Sequence, residues 1–107
     1  MSARWRLDGF RVVVTGGSKG LGLACVAELL SLGASVLLTA RTESDLLAAA
    51  EPMIKEHGAA RVHVLAADVS TVDGRATLVA KATELWGGAL DGLVNNVGTN
   101  IRKSVAE

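Results

Sequence analysis

The chain has no tyrosine, one cysteine, one proline and no surplus of charge. It also lacks any apolar run long enough to span a membrane. Each gap narrows what the protein can be. A single cysteine, Cys25, cannot close an internal disulfide, and on the apolar side of an expected helix it reads as a small core residue. Eleven basic residues offset eleven acidic ones, so nothing electrostatic argues for a nucleic-acid or anionic-membrane partner. Residues 1–10 have no apolar core of a targeting peptide, which leads us to expect a soluble, cytoplasmic protein. No metal ligand set is expected. The aromatic residues are Trp5, Phe10 and Trp86, so no phenol is present to act as an acid.

What is present is ample core material. Half of the 107 residues are hydrophobic, enough for one domain over 1–107. The apolar pattern switches repeatedly between strand and helix periods. Arg11–Thr15 reads as a central strand. A helix over 20–32 carries Leu21, Cys25, Leu29 and Leu32 on one stripe and ends at Gly33. Ser35–Ala40 is a second strand.

Thr42-Glu43-Ser44-Asp45 has the form of a capping box opening a second helix, with Leu46, Ala50, Ile54 and His57 on one side and a stop at Gly58. Pro52 inside it predicts a kink, or two pieces. A third strand over 61–66 follows. Ser70-Thr71-Val72-Asp73 is a second capping pattern, opening a helix with Val72, Ala76, Val79, Ala82 and Trp86 on its stripe. It ends at Gly87-Gly88, ahead of a fourth strand over 91–95. The fold class is therefore α/β, a Rossmann-type parallel sheet in β-α-β-α-β-α-β order. In such sheets ligands bind beyond the carboxyl ends of the strands.

The most informative segment lies at the first of those ends: Thr15-Gly16-Gly17-Ser18-Lys19-Gly20-Leu21-Gly22. A glycine turn between a strand and a helix leaves backbone N–H groups bare at the helix N-terminus, where the dipole favours an anion. The glycines let the backbone approach a pyrophosphate. The spacing G-x-x-x-G-x-G differs from the common G-x-G-x-x-G, and no P-loop Gly-Lys-Ser/Thr is present.

Where NAD-binding proteins place an acid after the second strand, this chain has Arg41. Arginine clasps a phosphate with a planar fork of donors, and Lys19 adds a nearby cation, so the pair argues for NADP over NAD. Glu43 competes for the ribose, although an acid is expected in a helix's first turn anyway. Asp68, with Val69, follows the third strand, either as a loop aspartate or as part of the ligand site. Asn95-Asn96-Val97-Gly98 ends the fourth strand with amide groups able to tie strands together and a glycine permitting close approach.

Thr-Gly-x-x-x-Gly-x-Gly near the N-terminus, the Asp68 position and Asn-Asn-Val-Gly occur in an order that resembles the short-chain dehydrogenase/reductase family. Residues 4–7 and 96–103 look like its tropinone reductase-like members. The resemblance implies that Thr15, Gly16, Ser18, Lys19, Gly20, Leu21, Gly22, Arg41, Asp68, Val69, Asn95 and Gly98 bind the cofactor, with Asp68 and Val69 holding adenine. It implies strand order 3-2-1-4, the first two helices on one face and the third on the other. It implies an oxidoreductase interconverting a carbonyl and an alcohol through a serine and a Tyr-x-x-x-Lys pair. This chain has no tyrosine. Ser104 follows the fourth strand too soon to substitute for the family's serine.

The expectation is therefore an incomplete, cofactor-binding part with no catalytic residues of its own and apolar surface exposed beside strand four. A substrate would be taken only by a full-length form, and homo- or hetero-oligomers are possible partners. A non-catalytic dinucleotide-binding or assembly-modulating module is the competing reading. A methyl-donor-binding enzyme is a third, against which Arg41 argues.

Overall fold

A computed structural model describes residues 6–96. The elements are β1 (Arg11–Thr15), α1 (Gly20–Ser31), β2 (Ser35–Ala40), α2 (Glu43–His57), β3 (Val62–Ala66), α3 (Val72–Trp86) and β4 (Gly92–Asn95). All strand pairs are parallel, in the order β3-β2-β1-β4, the Rossmann-type order expected.

Register sorts the side chains into two faces, because residues opposite one another across a parallel sheet point the same way. The rows Val62–Val36–Val12 and Val64–Leu38–Val14–Val94 lie on one face. There they join Val26 and Leu30 of α1 and Leu46 and Ala50 of α2 in the main core. The other face carries the row His63–Leu37–Val13–Leu93. Trp86 of α3 meets His63 edge-to-face at 6.1 Å, which puts α3 on this second side. Burial there pushes the His63 imidazole below its usual pKa. Cover thins toward β4, where Leu93 is 60% exposed. Apolar surface beside strand four, expected from the sequence, is therefore present.

Several local expectations need correction. α1 buries Gly22, Val26 and Leu30, one position round from the expected stripe, and leaves Leu21 exposed while Cys25 is half-buried. α2 buries Leu46 and Ala50 of its expected side together with Ala49, leaves His57 half-buried, and has Ile54 37% exposed beside Ala50, Val62 and Val64. In α3 only Gly74 is buried, and Val72 and Val79 face solvent.

α2 runs unbroken through Pro52. Pro52 and Ala48, whose carbonyl loses its N–H partner, both lie on the exposed side, where water can replace the missing bond. Neither capping box forms as expected. Thr42 makes no side-chain cap bond, and α3 is capped by Thr71, which accepts from the Gly74 amide, because Ser70 is engaged elsewhere.

Arg61, just ahead of β3, braces the first face. Its guanidinium donates to the carbonyls of Leu30 at 3.1 Å and Ala34 at 2.8 Å, and contacts His57 Nδ1 at 3.3 Å. One side chain thus closes the end of α1, the turn after it and the end of α2. Arg61→Leu strips the part-buried Ala34 carbonyl of its donor and the Leu30 carbonyl of one of its donors, the Gly33 amide remaining on the latter. We expect a loss of about 2–3 kcal/mol, read as a thermal midpoint lower by roughly 10 °C. Lysine at 61 should restore only part, because it lacks the planar fork. An unchanged midpoint for Arg61→Leu would refute the brace.

Candidate functional site

The carboxyl ends of β1, β2 and β3 and the loop after β4 open onto one cleft of about 660 Å³. Gly16, Ser18 and Lys19 contribute from the first loop, Arg41, Thr42 and Asp45 from the start of α2, Asp68, Val69 and Ser70 from the loop after β3, and Asn96 from the fourth. Six of the residues singled out from sequence, Gly16, Ser18, Lys19, Arg41, Asp68 and Val69, line it directly.

The first loop is set by close packing. Gly16 takes a left-handed φ of 67° and donates its N–H to the Thr39 carbonyl at 2.8 Å. Gly22 in α1 has no room for a Cβ, which would strike the Gly16 carbonyl and come within 2.8 Å of Asn96 Nδ2. The helix therefore starts directly on the loop. Its N-cap, Lys19, has extended backbone and supplies no side-chain acceptor. The first-turn N–H groups of α1 thus have no side-chain cap, which is where an anion is stabilised.

Thr15 and Asn95 lie beneath the cleft and join its two halves. The Thr15 hydroxyl donates to Asn95 Oδ1 at 2.8 Å and accepts from the Asn96 amide at 3.0 Å. Gly20 and Leu21 lie outside the lining, with Leu21 70% exposed. Gly98 lies outside the described residues.

The loop after β3 is folded around Asp68. Its carboxylate accepts from the Ser70 hydroxyl at 2.6 Å and the Ser70 amide at 3.0 Å, while its carbonyl accepts from Thr71 Oγ1 at 2.8 Å. These Ser70 bonds, with a further contribution from the Arg41 charge, hold the Asp68 carboxyl below the usual carboxylate range. Arg75 reaches back to the Val69 carbonyl at 3.1 Å. Gly74 allows α3 to sit against this loop, since a Cβ there would collide with the Asp68 carbonyl.

Sequence reasoning missed Gly74, although a glycine in a helix's first turn, costing about 1 kcal/mol against alanine, is a signal of close approach. Thr42, named with Arg41 as the loop following the second strand, lies in the lining, whereas Asp45, Ser70 and Thr39 there were missed. The Thr39 hydroxyl is buried with no hydrogen-bond partner among the described residues. Asn96 was read only as part of its motif.

Charge in the cleft is mixed. Lys19 Nζ lies 3.4 Å from Asp45 Oδ2, whereas Arg41 makes no ion pair among the described residues. No group of side chains able to hold a metal ion occurs among them, and no helix there is long and apolar enough to cross a membrane.

Comparison with known proteins gives a consistent result. A family model described as short chain dehydrogenase matches residues 11–107. Senescence-associated protein 13 of Arabidopsis thaliana is 43% identical over 99% of this chain and 39% of its own length. A tropinone reductase homolog of Datura stramonium is 38% identical over 94% of this chain and 37% of its own. The chain thus spans about two fifths of the length of these relatives.

Among solved structures, L-sorbose reductase from Gluconobacter frateurii, complexed with NADPH and L-sorbose, superposes with a TM-score of 0.82 at 36% identity. That match covers 89% of this chain and 35% of the reductase. Pseudomonas aeruginosa RhlG in an NADP active-site complex gives 0.80 at 34% identity, covering 92% and 38%.

Proposed function

Because the chain belongs to the short chain dehydrogenase family, we propose that it is the NADP(H)-binding part of an oxidoreductase that interconverts a carbonyl and an alcohol. The observation that carries the cofactor choice is Arg41, an unpaired cation among the described residues at the cleft mouth, where an NAD site would present an acid. The uncapped start of α1 suits the diphosphate, and Lys19 and Arg41 suit a 2′-phosphate. Asp68 and Val69 would hold the adenine, and Asn95 would tie β4 to Thr15 under it. Thr15, Gly20, Leu21, Gly22 and Gly98 complete the proposed set, the first four by shaping the loop.

When bound, NADP(H) supplies the hydride. This chain's residues bind and orient its adenosine-phosphate end. The acid that passes the proton would come from outside these 107 residues, which contain no tyrosine, and the chain alone would be inactive. A cytoplasmic location and pairing with another chain across the exposed β4 belong to the same proposal.

Calorimetric titration of the chain tests it. NADPH should bind at least about tenfold more tightly than NADH, the worth of one charge-assisted hydrogen bond. Equal affinities, or a folded chain indifferent to both, would refute the assignment.

A further inference from the structure

We propose that Asp45 is a specificity-determining residue of the cleft, competing with the cofactor's 2′-phosphate for Lys19. This rests on the NADP reading above and deepens it. Two cations border the phosphate end of the cleft, but they are not equivalent. Arg41 has no ion-pair partner among the described residues, whereas Lys19 Nζ stands 3.4 Å from Asp45 Oδ2.

The pair bridges two elements. Lys19 caps α1, and Asp45 projects from the first turn of α2. A phosphate carrying nearly two negative charges can take Lys19 only by displacing that carboxylate. Exchange is feasible, since the Lys19 and Asp45 side chains are 76% and 40% exposed and exposed pairs are weak. The carboxylate nevertheless stays fixed on α2, so the free site always holds an internal rival for its ligand. Asp45 thereby limits the preference for the phosphorylated cofactor to less than two free cations would give.

Asp45→Asn tests this without removing bulk from an exposed position. The probes are adenosine 2′,5′-bisphosphate and adenosine 5′-monophosphate, titrated calorimetrically against the 107-residue chain with melting curves alongside. The variant should bind the bisphosphate about threefold to tenfold more tightly and the monophosphate unchanged. In a Lys19→Met background the same substitution should lose most of that gain, because there is no lysine left to release.

A weaker or equal bisphosphate affinity at a normal melting temperature overturns the proposal. So does a gain shared by both probes, or one that persists in full without Lys19. If Asp45→Asn does not fold, Asp45→Ser carries the same test. Should the parent chain not distinguish the two probes at all, the NADP reading falls and this proposal with it. A parent preference for the bisphosphate that Asp45→Asn leaves unmoved removes only the role of Asp45.

Discussion

Arg41→Asp is expected to raise the dissociation constant for NADPH on the order of 100-fold or more while changing that for NADH by only a few-fold. Two effects add. The guanidinium's charge-assisted hydrogen bonds to the phosphate are lost, worth roughly 1.5–3 kcal/mol. A carboxylate then faces the phosphate, and like charges about 4 Å apart repel by about 1 kcal/mol even in bulk water. The new acid occupies the position from which NAD-binding proteins bond the ribose, so NADH should be spared or helped. Arg41 lies in the cleft without an internal ion-pair partner among the described residues, so its replacement breaks no ion pair of the fold. A parallel loss for both cofactors would mean that Arg41 does not meet the phosphate.

Gly22→Ala should be nearly as damaging, by a different route. A methyl group there collides with the Gly16 carbonyl and crowds Asn96 Nδ2. Either α1 lifts from β1 or the first loop moves, and in both cases the donors at the start of α1 lose their aim. Overpacking of this kind costs about 1–3 kcal/mol of stability. We expect dinucleotide affinity to fall on the order of 100-fold, about 2.7 kcal/mol, with a lower melting midpoint in the same sample. Unaltered binding and melting would show that this contact does not shape the site.

The sequence made some levels of this molecule plain and hid others. The parallel sheet and the position of the cleft were readable, because β-α-β connections are short and right-handed and the glycine loop marks the end of β1, whereas the strand order came from the family resemblance. Helix faces were harder. In α1 the large residues Leu21, Leu29 and Leu32 suggested a stripe, yet the buried face is built from Gly22, Val26 and Leu30. A helix starting directly on a loop buries its smallest residue where contact is closest, so bulk misleads.

The third helix failed for a related reason. Its one buried residue is Gly74, pressed against Asp68, and apolar periodicity does not register a glycine. Ser70 looked like the cap of that helix until Asp68 was seen to hold it, leaving Thr71 for the work. The Lys19–Asp45 pair was invisible because only the side-by-side arrangement of α1 and α2 brings two such distant positions together.

The hydroxyl of Thr15 has a mechanical meaning. It spends its one hydrogen on Asn95 and takes another from the Asn96 backbone, while its own strand is locked between β2 and β4. Turning that side chain would break two bonds at once. The floor of the cavity at the end of β1 is therefore a fixed sill, and any narrowing around a guest falls to the walls above it, the start of α2 and the loop after β3.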